Sequence, residues 1–169
     1  MAGKNTVQKI TAAAMLAALT CVFTMIVKIP TPLNGYVNMG DAIVVLAGWS
    51  LSPAYAFLTA GIGSALADLL SGYTAYAVPT FLIKGAMALI ALFGVRLFGK
   101  KKGGIPAKIV RASLAEIFMV LGYFVFEGVL YGFAPSLVNI PANAIQGVVG
   151  LVLGCVLVRI FEKNKITLR

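Results

Sequence analysis

Long apolar stretches broken by short basic segments constrain this chain more than any single motif in it. They run from Ile10 to Val27, Ala42 to Leu70, Val78 to Val95, Ile105 to Tyr131 and Leu137 to Ile160. A helix needs about 20 apolar residues to cross the hydrocarbon of a bilayer. Within that hydrocarbon every backbone N–H and C=O must find a partner inside the chain, which for segments of this kind means α-helix. Composition agrees: 60% of residues are hydrophobic and 11% charged, whereas a soluble domain carries roughly a quarter charged residues. The expected fold class is all-α, an integral membrane bundle forming one domain over residues 1–169.

The second stretch is long enough for one span or two short ones. Ser50-Leu51-Ser52-Pro53 lies near its middle, and a proline disfavours helix at the residue before it and removes an amide donor. Charge decides between the counts. With six helices, Lys4, Lys9, Arg96, Lys100, Lys101, Lys102, Lys108, Arg111, Arg159, Lys163, Lys165 and Arg169 all share one side with both termini. Those are 12 of the 14 basic residues, Lys28 and Lys84 being the exceptions. With five helices the Arg96–Arg111 cluster and the C-terminal tail fall on the outer side. Basic residues gather in the cytoplasm, so the expectation is six transmembrane helices with cytoplasmic termini. Helix 2, about Met39 to Leu51, is then short for a span, which neighbouring helices or a thinned bilayer accommodate.

Several function classes drop out. The net charge of +9 flanks apolar runs and forms no basic face interleaved with aromatics, so it reads as a membrane flank and not a nucleic-acid surface. Cys21 and Cys155 sit in apolar runs without metal-ligand spacing. The chain has no histidine, which excludes a His-based triad or zinc site. No Walker motif is present, and no nucleophile–base pair stands out, so an enzyme is not expected and no catalytic cofactor or metal is called for. The first stretch lacks a small-residue cleavage site and reads as a retained helix.

Polar side chains inside a membrane are costly and each asks for a reason. Under the six-helix reading, Asp41, Asp68, Lys84 and Glu127 fall in the outer half. Asn139, Asn143 and Gln146 stand at i, i+4 and i+7 and share one face of the last helix; Glu116, Tyr123 and Glu127 do the same on helix 5. Polar stripes converging at one depth suit a pocket open to the outside. Two outer connections, Pro30–Asn38 and Ser71–Pro79, mix glycine, proline and tyrosine and suit loops closing over a ligand, with Asn38, Tyr73 and Tyr76 as contacts. Plainer readings stand beside these. Asp68 and Lys84 neutralise each other; Asp41 is a helix N-cap; the amide face glues helices; the tyrosines form an interfacial belt; the loops are mere connectors; Glu116 is as well explained by pairing as by ligand contact.

Helix 1 carries two overlapping small-xxx-small patterns, Ala13 with Ala17 and Ala14 with Ala18. Such residues admit a second helix closely, either a partner's or one of the bundle's own. Gly61-Ile62-Gly63-Ser64-Ala65 reads as internal packing, since no phosphate loop surrounds it.

At four places the chain resembles the substrate-binding S components of energy-coupling factor (ECF) vitamin transporters: the alanine-rich helix 1, Asn38-Met39-Gly40-Asp41-Ala42, the run from Gly61 to Tyr73, and Phe81-Leu82-Ile83-Lys84-Gly85. The resemblance covers essentially the full length. It implies six helices, an outward pocket for a vitamin, and docking through Ala13, Ala14, Ala17 and Ala18 onto a transmembrane coupling subunit held by two ATPases, which alone use ATP. It implies residence in the cytoplasmic membrane of a prokaryote and transport by toppling of the bundle. The pattern is most similar to hydroxymethylpyrimidine- or pyridoxine-type members, while riboflavin, pantothenate and queuosine-precursor members share the same architecture. From the residues themselves, outer acids Asp41, Asp68 and Glu127 exceed Lys84 and Lys28, favouring a neutral or amine-bearing ring over an anion. Two rival readings remain open: a stand-alone ion-coupled transporter with Glu116 as a proton relay, and a ligand-free membrane scaffold.

Overall fold

The 25 residues from Ala2 to Ile26 form helix α1, the first element of a computed structural model that describes residues 2–94, 105–166 and 168. Pro30 and Pro32 then prevent helix from continuing. The chain turns back through Asn34, whose left-handed φ of 53° is one that asparagine tolerates. A minimal antiparallel ladder results, β1 (Ile29–Pro30) against β2 (Tyr36–Val37), with Ile29 opposite Val37 and Pro30 opposite Tyr36. Among the described residues this hairpin is the departure from an all-α reading, and it arises where prolines exclude helix.

The remaining elements are α2 (Asp41–Ser50), α3 (Pro53–Leu70), α4 (Thr74–Phe93), α5 (Ile105–Tyr131), the single turn α6 (Phe133–Ser136) with a 3-10 turn over Leu137–Asn139, and α7 (Ile140–Lys163). The long second stretch is divided where its proline predicts. Leu51 and Ser52 are extended, and Pro53 opens α3 where its missing amide costs nothing. Helix α2 is shorter at both ends than the expected Met39–Leu51. Five helical segments among the described residues are long and apolar enough to cross a membrane: Thr6–Ile26, Pro53–Leu70, Thr74–Phe93, Pro106–Tyr131 and Phe133–Lys163. Of the basic residues assigned to one side, Arg96, Lys100, Lys101, Lys102 and Arg169 lie outside the described residues.

Helix α2 is the hub. At ten residues it is about 15 Å long, and every residue from Asp41 to Gly48 is buried. It packs on α1, α3, α4 and α7, while α3 also lies against α1 and α4, and α5 against α4 and α7. Ile43, Val44, Leu46 and Ala47 of α2 meet Met87, Ala88 and Ala91 of α4, Met119 of α5 and Val158 of α7 in the apolar core. The outer helices turn their large apolar residues outward: Ile117, Leu121, Val125 and Val129 on α5, and Val148, Val152 and Val156 on α7, are exposed. Spacings of four place them on one stripe per helix, the pattern of a lipid-facing surface.

Two glycines mark close approaches of α3 to α1 and of α7 to α2. A Cβ on Gly63 of α3 would lie 2.5 Å from the Ala17 carbonyl oxygen of α1, and one on Gly150 of α7 would lie 2.6 Å from Asp41 Cβ of α2. Close backbone contact of this kind supplies the packing that lipid does not drive.

Candidate functional site

The C-terminal ends of α1, α3 and α5, the N-terminal ends of α4 and α7, and the hairpin converge on a small cavity. These five helices bring polar side chains to it. Helix α3 contributes Ser64 and Asp68, α4 contributes Tyr76, Thr80 and Lys84, α5 contributes Tyr123 and Glu127, and α7 contributes Asn143 and Gln146. Thr24 of α1 and Thr31, Gly35, Tyr36 and Asn38 of the hairpin region complete the wall. The space open to the centre of a water-sized sphere is about 20 Å³, room for about one water.

The hairpin is fastened over this cavity by polar bonds. Tyr36 Oη donates to Asp68 Oδ1 at 2.5 Å, the Asn38 N–H donates to Gln146 Oε1 at 2.8 Å, and Tyr76 Oη donates to the Leu33 carbonyl at 2.7 Å. Asn38 Oδ1 in turn accepts from the Gly40 N–H at 2.9 Å, which braces the entry to α2. Burial first, and then the Asp68 charge, hold the Tyr36 hydroxyl well above the ordinary tyrosine range, so it remains a donor.

Beneath the cavity Lys84 forms a fully buried ion pair with Asp41, the two side chains being 2% and 0% exposed. Gln146 Nε2 donates to the other Asp41 oxygen at 2.6 Å, and the Lys84 ammonium also stands 5.4 Å from the Tyr123 ring centroid. Tyr123 Oη and Thr80 Oγ1 are hydrogen-bonded at 3.0 Å. On the α5 side, Asn139 Nδ2 donates to Glu127 Oε1 at 2.9 Å, with Tyr76 Oη 3.2 Å from the same oxygen.

The structure therefore corrects the expected Asp68–Lys84 pairing: Lys84 takes Asp41, and Asp68 takes Tyr36. Asp41 is the first residue of α2 but makes no side-chain capping bond there, so the N-cap reading fails as well. Of the expected ligand contacts, Asn38, Asp68, Tyr76, Lys84, Tyr123, Glu127, Asn143 and Gln146 line the cavity. Asp41 and Asn139 stand behind the wall and hold Lys84, Gln146 and Glu127 in place. Tyr73 is also off the cavity, its ring centroid 4.5 Å from that of Tyr36. Thr31, Gly35 and Tyr36 lie in the Pro30–Asn38 connection expected to close over a ligand but were not singled out as contacts, and Thr24, Ser64 and Thr80 were not anticipated. Spacing carried a signal for two of them, since Ser64 lies four residues before Asp68 and Thr80 falls midway between Tyr76 and Lys84 on one helical face.

Glu116 is 6% exposed and neither of its carboxylate oxygens has a hydrogen-bond partner. It lies against Gly147 and Gly150 of α7 and off the cavity wall, in a lateral groove between α5 and α7.

The two alanine patterns of α1 are separated by the fold. Ala13 and Ala17 turn toward α3, where Thr59 Oγ1 donates to the Ala13 carbonyl at 3.2 Å and Gly63 meets Ala17. Ala14 and Ala18 are exposed. All four border an apolar groove of about 640 Å³ between α1 and α3, walled by Leu58 and Ile62 opposite. At the same end of α1, but on α5 and α7, Lys108 pairs with Glu162.

This arrangement has relatives. A protein of Pyrococcus woesei known as the uncharacterized protein in the gap 3′ region is 35% identical over 144 residues, which is 85% of this chain and 94% of that one. The thiamine precursor transporter HmpT of Lactococcus lactis subsp. cremoris (strain MG1363) is 27% identical over 168 residues, 98% of this chain and 94% of the relative. Among solved structures, the S component of a bacterial ECF transporter superposes with a TM-score of 0.74 at 22% identity, covering 98% of this chain and 99% of its own. The S component for biotin from an ECF-type ABC transporter follows at 0.62 and 16%, covering 94% and 95%. Residues 4–163 match the family model of the ECF-type riboflavin transporter S component, and with nearly the whole chain inside that match, the protein belongs to the ECF-type S-component family.

Proposed function

We propose that this S component crosses the cytoplasmic membrane of a prokaryote six times with both termini inside, and that its cavity opens outward beneath the hairpin. There it captures a small vitamin precursor of the hydroxymethylpyrimidine or pyridoxine type. It then hands the ligand to a transmembrane coupling subunit energised by two ATPases, docking through the α1–α3 groove that Ala13, Ala14, Ala17 and Ala18 border. The observation that carries this reading is the cavity itself: buried polar side chains from α1, α3, α4, α5 and α7 meet at one end of an otherwise apolar bundle, a costly arrangement without a ligand to use it.

Size and charge support a small, non-anionic occupant. The cavity must expand from about 20 Å³ to take any ligand, and one ring displaces less of its wall than a tricyclic flavin does. Its lysine is already neutralised by Asp41, so among the described cavity-wall residues no free cation waits for a carboxylate or phosphate. The relative named for a thiamine precursor spans nearly the whole chain, which fits the same reading. Helix α2 is short for a span, but its burial among four neighbours removes the need to match the bilayer alone.

Thermal unfolding of the detergent-solubilised protein against pyrimidine, pyridine, flavin and deazapurine compounds tests the proposal. A ligand at 100 times its Kd stabilises the folded state by about 2.7 kcal/mol, so one pyrimidine or pyridoxine compound should raise the midpoint. No shift from any member would return the protein to the scaffold reading. The unpartnered Glu116 favours one competitor, a stand-alone ion-coupled carrier. Uptake into vesicles containing only this protein, driven by a proton gradient, would establish that carrier and displace the docking model.

A further inference from the structure

Four cavity-wall residues carry a buried polar atom with no hydrogen-bond partner: Thr24 Oγ1, Ser64 Oγ, Asp68 Oδ2 and Glu127 Oε2. The two hydroxyls donate or accept as required, but an ionised carboxylate oxygen only accepts. Asp68 and Glu127 each have one oxygen engaged by the protein, through Tyr36 and Asn139 respectively, and one left over. They stand on α3 and α5, the helices on either side of α4. The ion pairs among the described residues are Lys84 with Asp41 and Lys108 with Glu162, so neither cavity carboxylate has a cation within bonding distance. Lys84 is the cation of the described cavity wall, and Asp41 already takes it. A buried acceptor without a donor costs about 1–3 kcal/mol, and more when charged. Two such atoms on residues of one cavity wall leave two acceptors for a ligand's donors to satisfy.

Resting on the capture reading above, we propose that Asp68 and Glu127 are the specificity-determining residues of this site. Asp68 Oδ2 and Glu127 Oε2 each accept a hydrogen bond from the ligand. The ligand is then a small heteroaromatic ring bearing an amine and a second N–H or O–H donor. Tyr36 and Asn139 fix the orientation of the two carboxylates by holding the opposite oxygen of each, so the free lone pairs are aimed before the ligand arrives. Ser64 and Thr24 supply adaptable partners for a ring nitrogen. A ligand bearing a carboxylate or phosphate is rejected, because it would meet two negative acceptors while Lys84 is committed to Asp41. Replacing the amine by a carbonyl reverses the donor pattern at that edge and leaves one carboxylate oxygen facing an acceptor, the mismatch that binding sites built on hydrogen bonds discriminate against most strongly.

The probes are 4-amino-5-hydroxymethyl-2-methylpyrimidine, its 4-oxo counterpart and nicotinate, with Kd measured by calorimetry on the full chain in detergent. The aminopyrimidine should bind at least about 10-fold more tightly than the other two. Asp68→Asn keeps the oxygen that Tyr36 bonds, and Glu127→Gln keeps the one that Asn139 bonds. Each should weaken the aminopyrimidine by about 10- to 100-fold and narrow its advantage over the 4-oxo compound. If the 4-oxo compound or nicotinate binds wild type as tightly as the amine, the proposal is overturned while vitamin capture stands. The same holds if both variants keep wild-type affinity. This comparison of compounds on the wild type decides the matter even where a variant does not fold. If no probe and no other vitamin precursor binds, the capture reading falls and this inference falls with it.

Discussion

Replacing Lys84 by methionine tests how the polar end of the bundle is held together. Lys84 and Asp41 are 2% and 0% exposed, so the substitution leaves a carboxylate buried with only the Gln146 amide, at 2.6 Å, to stabilise it. Removing one partner of a buried pair costs about 3–5 kcal/mol, because the charge left behind is uncompensated. The Gln146 bond argues for the lower half of that range, since a hydrogen bond to a charged group is worth about 1.5–3 kcal/mol. Asp41→Asn should cost less, because the orphaned ammonium keeps its place beside the Tyr123 ring and a side-chain amide oxygen still accepts from it. The double variant removes both charges and should recover to within about 1 kcal/mol of the less damaged single variant. The assay is unfolding of all four proteins in mixed micelles with increasing SDS, with circular dichroism at 222 nm as the readout. Single variants costing under about 1 kcal/mol, or a double variant whose loss is the sum of the singles, would refute the claim that the two charges depend on each other.

Further predictions separate the hairpin from the proposed docking face. Tyr36→Phe removes the 2.5 Å bond to Asp68 and with it one fastening of the hairpin; ligand dissociation should accelerate about 10-fold or more, and stopped-flow release of bound ligand measures it. Because the Tyr36 hydroxyl is held above its ordinary range, this fastening should be fully present below about pH 10 and lost only at higher pH, so wild-type release rates should not change between pH 6 and 9. Ala14→Trp, on the exposed side of α1, should leave ligand binding intact and abolish delivery in membranes holding the coupling subunit and its ATPases. Ala17→Trp should instead destabilise the bundle, since Ala17 already meets Gly63 at closest approach and overpacking costs about 1–3 kcal/mol. Equal behaviour of the two tryptophan variants in both assays would remove the distinction between the faces.

Much of this was legible in the sequence because lipid punishes polar groups so strongly. Asp68, Lys84, Tyr123, Glu127, Asn143 and Gln146 stand out against apolar surroundings, and helical spacing alone puts the last two on one face. The division at Pro53 was readable for a similar reason, since proline leaves few backbone options. What spacing cannot supply is the distance between helices. Lys84 was equally available to Asp41 and Asp68, and only the packing of α2 against α4 and α7 decides in favour of Asp41. The small hydroxyl residues Thr24, Ser64 and Thr80 were missed because serine and threonine are common in apolar helices, where their hydroxyls bond the carbonyl four residues back, as Thr20 does to Leu16. Tyr36 was hidden for another reason: its role depends on a hairpin too short to leave a strand signal.

The position of the proposed docking groove bears on how the cavity opens. Helices α1 and α3 form both the groove, through Ala14, Ala18, Leu58 and Ile62, and part of the cavity wall, through Thr24, Ser64 and Asp68. A partner seated in the groove would gate the cavity most directly by prying those helices apart. The Gly63–Ala17 contact and the Thr59–Ala13 bond oppose this, because a close-packed seam resists graded deformation. The hairpin has no such seam. Three of its polar ties to the helical body, the bonds of Tyr36, Asn38 and Leu33, end on residues of the cavity wall, while Lys28 at its start bonds Ser71. A ligand that competes for Asp68, Gln146 or Tyr76 therefore weakens the cover from inside, without any change in the helix bundle. On the proposed reading, docking would then act on the bundle as a rigid body, and ligand entry would be decided at the hairpin.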